Sequence, residues 1–314
     1  MLLKLVPDQT NIPFMRWRMP AIVFAVVLTI ASIALVATRG MNFGVDFAGG
    51  ILIEIKAEQA VDLGQLRSTL GSMNIGEVSV QSFGADEDEV LIRLQHQEGD
   101  QAEQEAVVER VKTRINEVLP GEVSFRRVEY VGPKVSDELV WDGIMAVTLS
   151  MIGIMIYVWM RFEWQFAVGA VLSLIHDVAL TLGLFSLFQL EFNLSVIAAL
   201  LTIVGYSLND TVVVYDRIRE NLRKYRRMDL NNLIDLSLNE TLSRTIMTGV
   251  TTLLALFALY VFGGEVISAF TLAMIWGVLI GPYSTVFIAA PVLPWFNLKR
   301  DFSEEATPAA AERP

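Results

Sequence analysis

Apolar and polar residues alternate in long blocks along this chain, and six apolar blocks reach the length of a membrane span. A helix needs about 20 apolar residues to cross a bilayer. The blocks of this length are Pro20–Thr38, Val140–Met160, Gln165–Gln189, Leu194–Tyr215, Thr245–Phe262 and Val266–Leu293. The pattern predicts a polytopic α-helical membrane protein with six transmembrane helices.

The first and last blocks have features of their own. Pro20–Thr38 is longer than the apolar core of a signal peptide, and no small-residue cleavage site follows it, so we interpret it as an uncleaved anchor. The last block contains Pro282, which predicts a kink or an early end of the helix.

A polar segment separates the first two blocks, and its pattern predicts an α+β domain. Strand-like alternation occupies Gly50–Ala57, Glu77–Phe83, Glu89–Gln95 and Glu122–Gly132, with the turn GADED between the second and third strands. Helical spacing occupies Asp62–Met73 and Gln101–Leu119. The order βαββαβ is that of a ferredoxin-like domain. Because this fold has many functions, it does not indicate an activity.

These patterns divide the chain into five regions. Residues 1–19 form an N-terminal segment, 20–38 a transmembrane helix and 39–139 the α+β domain. Residues 140–295 form a five-helix membrane region with a basic loop at 216–244, and 296–314 form a tail that we expect to be disordered.

Basic residues near the ends of the blocks predict the orientation. They are Lys4, Arg16, Arg18, Arg161, Arg217, Arg219, Arg223, Lys224, Arg226, Arg227, Arg244, Lys299 and Arg300. With six spans, all of them fall on one side of the membrane, which the positive-inside rule makes cytoplasmic. Both termini are therefore expected in the cytoplasm and the α+β domain on the opposite, periplasmic side.

Composition narrows the function classes. Hydrophobic residues make up 53% of the chain and charged residues only 19%, below the roughly 25% of soluble proteins. No cysteine is present, which excludes disulfides and thiolate metal sites. No P-loop sequence occurs, so we expect no nucleotide cofactor and no enzyme activity of that class. The α+β segment carries most of the formal net charge of −11, which makes nucleic acid an improbable partner.

Ionisable residues inside apolar blocks are the first functional candidates. Asp177 lies near the middle of the third block, beside His176, and Asp210 follows Asn209 in the fourth block. A charged side chain at the bilayer centre costs about 2.5–3.5 kcal/mol, so such groups usually face a protein interior or a wet cavity. We interpret both aspartates as stations on a proton path, with Asn209 providing a hydrogen bond between them.

Structural explanations stay open for each of these residues. Asp210 could reach cytoplasmic water, Asp177 could hold helices together through a neighbouring hydroxyl, and His176 could be a neutral packing residue. A functional role is the default interpretation for the two aspartates and a weaker hypothesis for His176.

Two further segments flank the spans. GVDFAGG follows the first span and contains Gly44, Asp46, Gly49 and Gly50. Its glycines indicate either simple turn geometry or a hinge that couples the α+β domain to the membrane region. Arg217 and Arg219 begin the basic run after the fourth span, which is explained by orientation and by contact with anionic lipid, or by partner recognition.

Several short motifs occur in an order that resembles a known family. They are GVDFAGG (44–50), VEYVGP (128–133), FEW (162–164), HDV (176–178) and GYSLNDTVVVYDRIREN (205–221). Together they resemble the SecF branch of the SecD/SecF family, in the resistance–nodulation–division superfamily. Ala48 departs from the family pattern, in which threonine is common at this position.

The resemblance implies a function and a set of partners. Members of this branch pair with a SecD-like six-helix subunit and associate with the SecYEG channel and YajC in the bacterial inner membrane. The pair uses the proton-motive force to assist the translocation of unfolded secreted polypeptides, with protons as the coupling ion and no other cofactor.

Two other functions stay open on the residues alone. One is a non-transporting membrane scaffold or assembly factor, in which the helices only anchor the acidic domain. The other is half of a proton-driven small-molecule exporter, although a single domain of this size leaves little room for an enclosed pocket. A scaffold would tolerate replacement of Asp177 and Asp210, whereas a proton-driven machine would not.

Overall fold

A computed structural model of the chain describes residues 10–73, 75–76, 78–83, 88–95, 101–264, 267–296 and 298. It divides into two compact units. The membrane unit consists of Met1–Gly40, Val147–Phe188 and Ala198–Pro314, and the α+β unit consists of Met41–Ala146 and Gln189–Ile197. Two long helices contribute residues to both units.

The α+β unit is built on a four-stranded antiparallel sheet. Its strands are β2 (Gly50–Lys56), β3 (Val78–Phe83), β4 (Glu89–Leu94) and β5 (Ser124–Val131), in the order β3-β4-β2-β5. Helix α3 (Leu63–Gly71) joins β2 to β3, and helix α4 (Gln101–Val118) joins β4 to β5. The predicted βαββαβ ferredoxin-like order is therefore confirmed.

The core of this domain follows from the period-two pattern of its strands. Ile51, Ile53 and Ile55 alternate along β2 and are fully buried. They pack with the apolar faces of the two helices, including Leu66 of α3 and Ile115 of α4. The resulting cluster consists of apolar side chains, so the domain is stabilised by ordinary hydrophobic burial.

A second, smaller sheet belongs to the same unit. Strand β1 (Asn42–Phe43) pairs in parallel with β6 (Glu191–Phe192), and between β1 and β2 the chain forms the helical turn α2 (Val45–Ala48). Phe43, Phe47 and Phe192 form a ring cluster with centroid separations of 5.7–6.1 Å. The segment that was predicted as a loop therefore contains a packed turn of helix.

Six described helical segments are long and apolar enough to cross a membrane, which confirms the predicted number. They are a 3₁₀ turn (Phe14–Trp17) followed by α1 (Arg18–Arg39), α5 (Pro133–Arg161), α6 (Trp164–Phe188), α7 (Leu194–Lys224), α8 (Leu230–Phe262) and a composite last helix (Ser268–Phe296). The chain is thus a multi-pass membrane protein.

Two helices extend beyond their predicted ends. Helix α5 starts at Pro133 rather than Val140, because proline without an N–H is favourable in the first turn of a helix. The predicted basic loop at 216–244 is mostly helical, since α7 continues to Lys224 and α8 begins at Leu230. Asp229 caps α8 by accepting hydrogen bonds from Asn231 N and Asn232 N at 3.0 and 3.4 Å.

The last helix is irregular immediately after Pro282. Helix α9 (Ser268–Ser284) leads into a π-helical turn (Thr285–Ala289), the short helix α10 (Ala290–Val292) and a 3₁₀ turn (Leu293–Phe296). Proline removes one backbone donor, and π turns widen a helix locally, often at functional sites.

Close packing holds the central helices of the membrane unit together. A Cβ atom on Gly183 of α6 would collide with Ser32 of α1, and one on Gly277 of α9 would collide with Ile203 of α7. Glycines at such crossings allow the backbones to approach closely. Helix α6 and the last helix are consequently the most buried of the six spans.

Some sequence predictions lie outside the described residues. They concern the strand start at Glu77, the GADED turn except Asp88, the span start at Val266, the basic pair Lys299 and Arg300, and the tail beyond 298.

Candidate functional site in the membrane helices

Asp177 lies where three helices of the membrane unit meet. It is fully buried near the middle of α6. Its Oδ2 accepts hydrogen bonds from Ser207 Oγ of α7 at 2.7 Å and from Ser284 Oγ of α9 at 2.8 Å. One carboxylate oxygen therefore links the three central helices.

The two oxygens of this carboxyl group differ. Oδ1 of Asp177 has no hydrogen-bond partner among the described residues, whereas Oδ2 has two. Since Oδ2 already accepts two hydroxyl hydrogens, Oδ1 is the oxygen better placed to carry a proton. The surroundings of Asp177 can therefore accommodate both the ionised carboxylate and the neutral carboxylic acid.

Ser284 can respond to a proton on Asp177. Its hydroxyl has one hydrogen but lies within bonding distance of two acceptors, Asp177 Oδ2 at 2.8 Å and the Gly281 carbonyl at 3.0 Å. An ionised Asp177 favours the first bond because charged acceptors form stronger hydrogen bonds. A neutral Asp177 makes the bond to Gly281, within α9, more competitive.

A line of hydroxyl groups extends from this carboxylate along α7. Thr211 Oγ1, one turn beyond Ser207, lies 2.9 Å from Thr285 Oγ1 in the π turn and 3.1 Å from the Ser207 carbonyl. Both threonines and both serines are buried. Sequence analysis missed these four residues, because serine and threonine in an apolar helix give no distinct signal.

Asp210 is the second buried carboxylate, with only 4% of its surface exposed. Its Oδ2 has no hydrogen-bond partner among the described residues, and the charge of Arg244 on α8 acts on it. Sequence analysis identified Asp210 but not the electrostatic influence of Arg244 on it.

The structure places Asn209 away from the two carboxylates. Its side chain is exposed, and it makes no described hydrogen bond to either carboxylate. Thr202, Tyr206 and Asn209 share this outer face of α7, whereas the inner face carries Ser207 and Asp210. Consecutive residues of a helix differ by about 100° in direction, so Asn209 and Asp210 do not share a face.

His176 is buried beside Asp177 but faces a different helix. Its Nδ1 lies 2.8 Å from Thr29 Oγ1 of α1, and Thr29 donates its hydroxyl hydrogen to the Ala25 carbonyl. Nδ1 and the Thr29 hydroxyl form a hydrogen bond whose donor depends on the tautomer of the ring. His176 lines an apolar cavity of about 270 Å³ and is separate from the line of hydroxyls.

The predicted coupling segment lies in the α+β unit. Asp46 Oδ2 accepts a hydrogen bond from Leu194 N at 2.8 Å, and Gly44 N donates to the Phe192 carbonyl at 2.9 Å. Gly49 and Gly50 have φ angles of 70° and 115°, which L-residues rarely adopt. The glycines thus fulfil a backbone requirement, while Asp46 has a specific partner.

The two predicted basic residues both brace helix α7. Arg217 Nε donates to Glu240 of α8 at 2.7 Å, and Arg219 donates to the Arg161 carbonyl at the end of α5 at 3.0 Å. The Arg219 guanidinium also lies over the ring of Phe162, 5.1 Å from its centroid. Both residues connect α7 to neighbouring helices.

Comparison with known families shows which family the chain belongs to. Residues 110–299 match the C-terminal part of the protein export membrane protein SecD/SecF, and residues 34–61 match the SecD/SecF GG motif. The chain belongs to the SecD/SecF family. The GG match includes the whole coupling segment, and the larger match includes Asp177, Asp210 and Arg244.

Individual relatives place it in the SecF branch. Over 310 residues it is 47% identical to the protein translocase subunit SecF of Rhodobacter capsulatus, covering 95% of this chain and 93% of the relative. Over 305 residues it is 45% identical to that of Rickettsia rickettsii, covering 96% and 97%.

Solved structures of a longer protein have the same fold. The crystal structure of SecDF, a translocon-associated membrane protein from Thermus thermophilus, matches with a TM-score of 0.81 and 36% identity over 94% of this chain. SecDF in its super-membrane-facing form matches with a TM-score of 0.67. The chain spans 40% of the length of each of these SecDF chains.

Among the described residues, no group of three or more histidines, cysteines or carboxylates is placed to hold a metal ion.

Proposed function

We propose that the chain is the SecF-type half of a proton-driven unit that assists the export of unfolded polypeptides through the SecYEG channel. The observation that carries the proposal is the fully buried Asp177, held by hydroxyl groups from two other helices. An ionisable group at this depth costs free energy and is most simply explained by use of its protonation.

The proposed orientation follows from the basic residues. Both termini and the α7–α8 connection lie in the cytoplasm, the α+β domain lies in the periplasm, and the membrane is the bacterial inner membrane. The relatives named as translocase subunits support this location.

The proposed partner is a SecD-like subunit with six further helices. The SecDF chains are longer than this one, and the match covers only 40% of their length. In addition, α7 carries the exposed amide side chain of Asn209, to which lipid offers no hydrogen-bond partner. A second helical subunit would cover that side chain, and YajC would be an accessory partner of the pair.

Proton transfer supplies the energy in this proposal. Moving one charge through the membrane potential releases about 2.3 kcal/mol per 100 mV, enough to change a two-state equilibrium more than tenfold. Protonation of Asp177 would weaken its bonds to Ser207 and Ser284 and so alter the packing of α6, α7 and α9. Asp210, on which the charge of Arg244 acts, would be the station nearer the cytoplasm.

The coupling segment is the proposed route to the periplasmic domain. Gly44, Asp46, Gly49 and Gly50 connect the end of α1 to the central strand β2. A change in helix packing would reach the domain through this segment, and the domain would alternately hold and release an emerging polypeptide.

The test uses membrane vesicles that contain this chain, its six-helix partner and the channel, energised by an imposed proton gradient. We expect Asp177→Asn and Asp210→Asn to abolish the proton-dependent part of translocation while membrane insertion and partner binding persist. Asp142→Asn, which changes an exposed carboxylate on α5, is the matched control and should translocate normally.

The same experiment decides between the proposal and a scaffold role. A scaffold that needs only its fold and its partners would tolerate all three substitutions. Normal proton-dependent translocation by both Asp177→Asn and Asp210→Asn would therefore reject proton coupling through this chain.

A further inference from the structure

Asp46 makes a hydrogen bond that its sequence neighbourhood does not explain. Its Oδ2 accepts from the backbone N–H of Leu194, the first residue of α7, at 2.8 Å. The first N–H groups of a helix have no partner within the helix, and a carboxylate there also interacts favourably with the helix dipole. Asp46 therefore caps α7 from a segment 148 residues away.

A second long-range bond of this kind joins Asp235 of α8, whose Oδ1 accepts from Met15 N at 2.8 Å, to the start of the first helical segment. The aspartate caps of α3 and α8 are local. Asp62 accepts from Gly64 N and Gln65 N at the start of α3, and Asp229 accepts from Asn231 N and Asn232 N at the start of α8. Helix α7 also has a local acceptor, since Asn193 Oδ1 lies 3.3 Å from Val196 N. The bond from Asp46 thus adds a tertiary connection to a helix end that already has its own cap.

The backbone around Asp46 fits closely against the start of α7. A Cβ atom on Gly44 would lie 2.8 Å from Glu191 Oε1 and 3.1 Å from Asn193 Cβ. Strand β1, just before Gly44, pairs with β6, just before Asn193. Hydrogen bonds from both backbone and side chain therefore fix residues 42–46 to residues 191–194.

The same segment also touches the start of α5. A Cβ atom on Gly49 would lie 3.5 Å from the Val131 carbonyl and 3.9 Å from both Pro133 Cα and Ser136 Cβ. The segment that enters β2 is consequently packed against the first residues of two membrane-spanning helices.

We propose that Asp46 is a positioning residue that fixes the coupling segment to the N-terminus of α7. Helix α7 is continuous from Leu194 through Ser207 and Asp210, so Ser207 lies about 20 Å along it from the cap. A shift of α7 at the carboxylate site would thereby displace the segment that leads into β2. This inference rests on the proposed function and names the residue that connects α7 to the coupling segment.

The test compares two caps on the same helix end, in the vesicle system with partner and channel. Asp46→Ala should lower the rate of proton-driven translocation about tenfold, the size of a lost cap of about 1.4 kcal/mol. Asn193→Ala removes the local cap, and Asp62→Ala removes a cap from α3 alone. Both should keep more than about half of the rate, because the tertiary connection is intact.

The Asp46→Asn variant distinguishes loss of the hydrogen bond from misfolding. The asparagine side chain offers the same oxygen to Leu194 N, so this variant should regain most of the rate that Asp46→Ala loses. A loss that is equal in Asp46→Ala and Asp46→Asn would overturn the inference, because the hydrogen bond would not be its cause.

Hydrogen exchange separates failure of this inference from failure of the proposed function. Asp46→Ala should speed exchange of the Leu194 amide about tenfold, whether or not protons drive translocation. Unchanged exchange at Leu194 overturns the inference outright. Normal translocation by Asp46→Ala, in vesicles where Asp177→Asn blocks it, overturns the positioning role and leaves the proposed function standing. Normal translocation by both Asp177→Asn and Asp210→Asn rejects the proposed function, and the exchange result then decides on the connection alone.

Discussion

The two units of this chain have interiors of opposite chemistry. The hydrophobic core of the α+β domain is formed by aliphatic side chains such as Ile51, Ile53 and Ile55, while the buried Glu54 lies on the other face of β2. The interior of the membrane unit instead contains a carboxylate and several hydroxyl groups, including Asp177, Ser207 and Thr211.

The solvent around each unit explains the difference. Water drives apolar side chains of the α+β domain inward, so its interior is apolar. Lipid is as apolar as leucine and provides no such force between helices, so a membrane protein places its few polar groups inside, away from lipid. In the membrane unit an apolar residue is therefore a poor indicator of burial, whereas a polar residue is a better one.

Introducing a charge into the apolar core should have the largest effect. Ile53→Asp would bury an unpaired carboxylate at the centre of β2, and we expect it to unfold the α+β domain with a loss of more than about 4 kcal/mol. Hydrogen exchange of β2 and β4 amides in the full chain would detect this. Gln65→Asp, on the exposed first turn of α3, should leave exchange unchanged. If the β2 and β4 amides stay protected from exchange in Ile53→Asp, the core of the α+β domain tolerates a buried carboxylate as the membrane unit does, which would contradict this prediction.

Close helix packing in the membrane unit predicts an intermediate effect. A side chain at Gly183 would meet the backbone of α1 as well as Ser32, because its Cβ would lie 2.9 Å from Ser32 Cα. Gly183→Leu should therefore reduce stability by about 1–3 kcal/mol, measured as a lower thermal midpoint in detergent.

Gly153 of α5 provides the matched control for this substitution. A Cβ atom there meets nothing within 4 Å, so Gly153→Leu should leave the midpoint unchanged or slightly raised. Equal midpoints for the Gly183→Leu and Gly153→Leu variants would show that α1 and α6 do not depend on close approach.

The α+β domain could be predicted from the sequence in some detail, because a domain in water has apolar buried faces and polar exposed faces. Alternation at Ile51, Ile53 and Ile55 indicates both a strand and the face that it buries. The number of membrane helices was predictable from apolar length alone. The inward face of each helix could not be predicted, because apolar residues occur on every face of these helices.

The candidate site was predictable only where it carries charge. Asp177 and Asp210 differ from their surroundings and were identified, whereas Ser207 and Ser284 meet Asp177 only through the packing of three helices. Asn209 and its neighbour Asp210 lie on different faces of α7 because one residue along a helix rotates a side chain by about 100°. The bond from Asp46 to Leu194 joins residues too distant in sequence for any local pattern to indicate it.

The smallest expected effect concerns the hydroxyl pair that gives the membrane interior its polar character. Thr211 Oγ1 and Thr285 Oγ1 lie 2.9 Å apart in a buried position between α7 and the π turn. Interhelical hydrogen bonds in membranes contribute on average about 0.6 kcal/mol, because each hydroxyl can turn to a backbone carbonyl of its own helix.

A double-mutant cycle measures this pair directly. Thr211→Val and Thr285→Val keep the side-chain shape and remove one hydroxyl each, and we expect a coupling of about 0.5 kcal/mol from thermal unfolding in detergent. Thr202→Val on the exposed face of α7 should be additive with Thr285→Val. A coupling above about 2 kcal/mol would mean that the hydroxyls hold the helices together, as the aliphatic side chains hold the α+β domain. A small coupling means that close packing holds the helices, so the buried hydroxyls and Asp177 are free to exchange partners at little cost in stability.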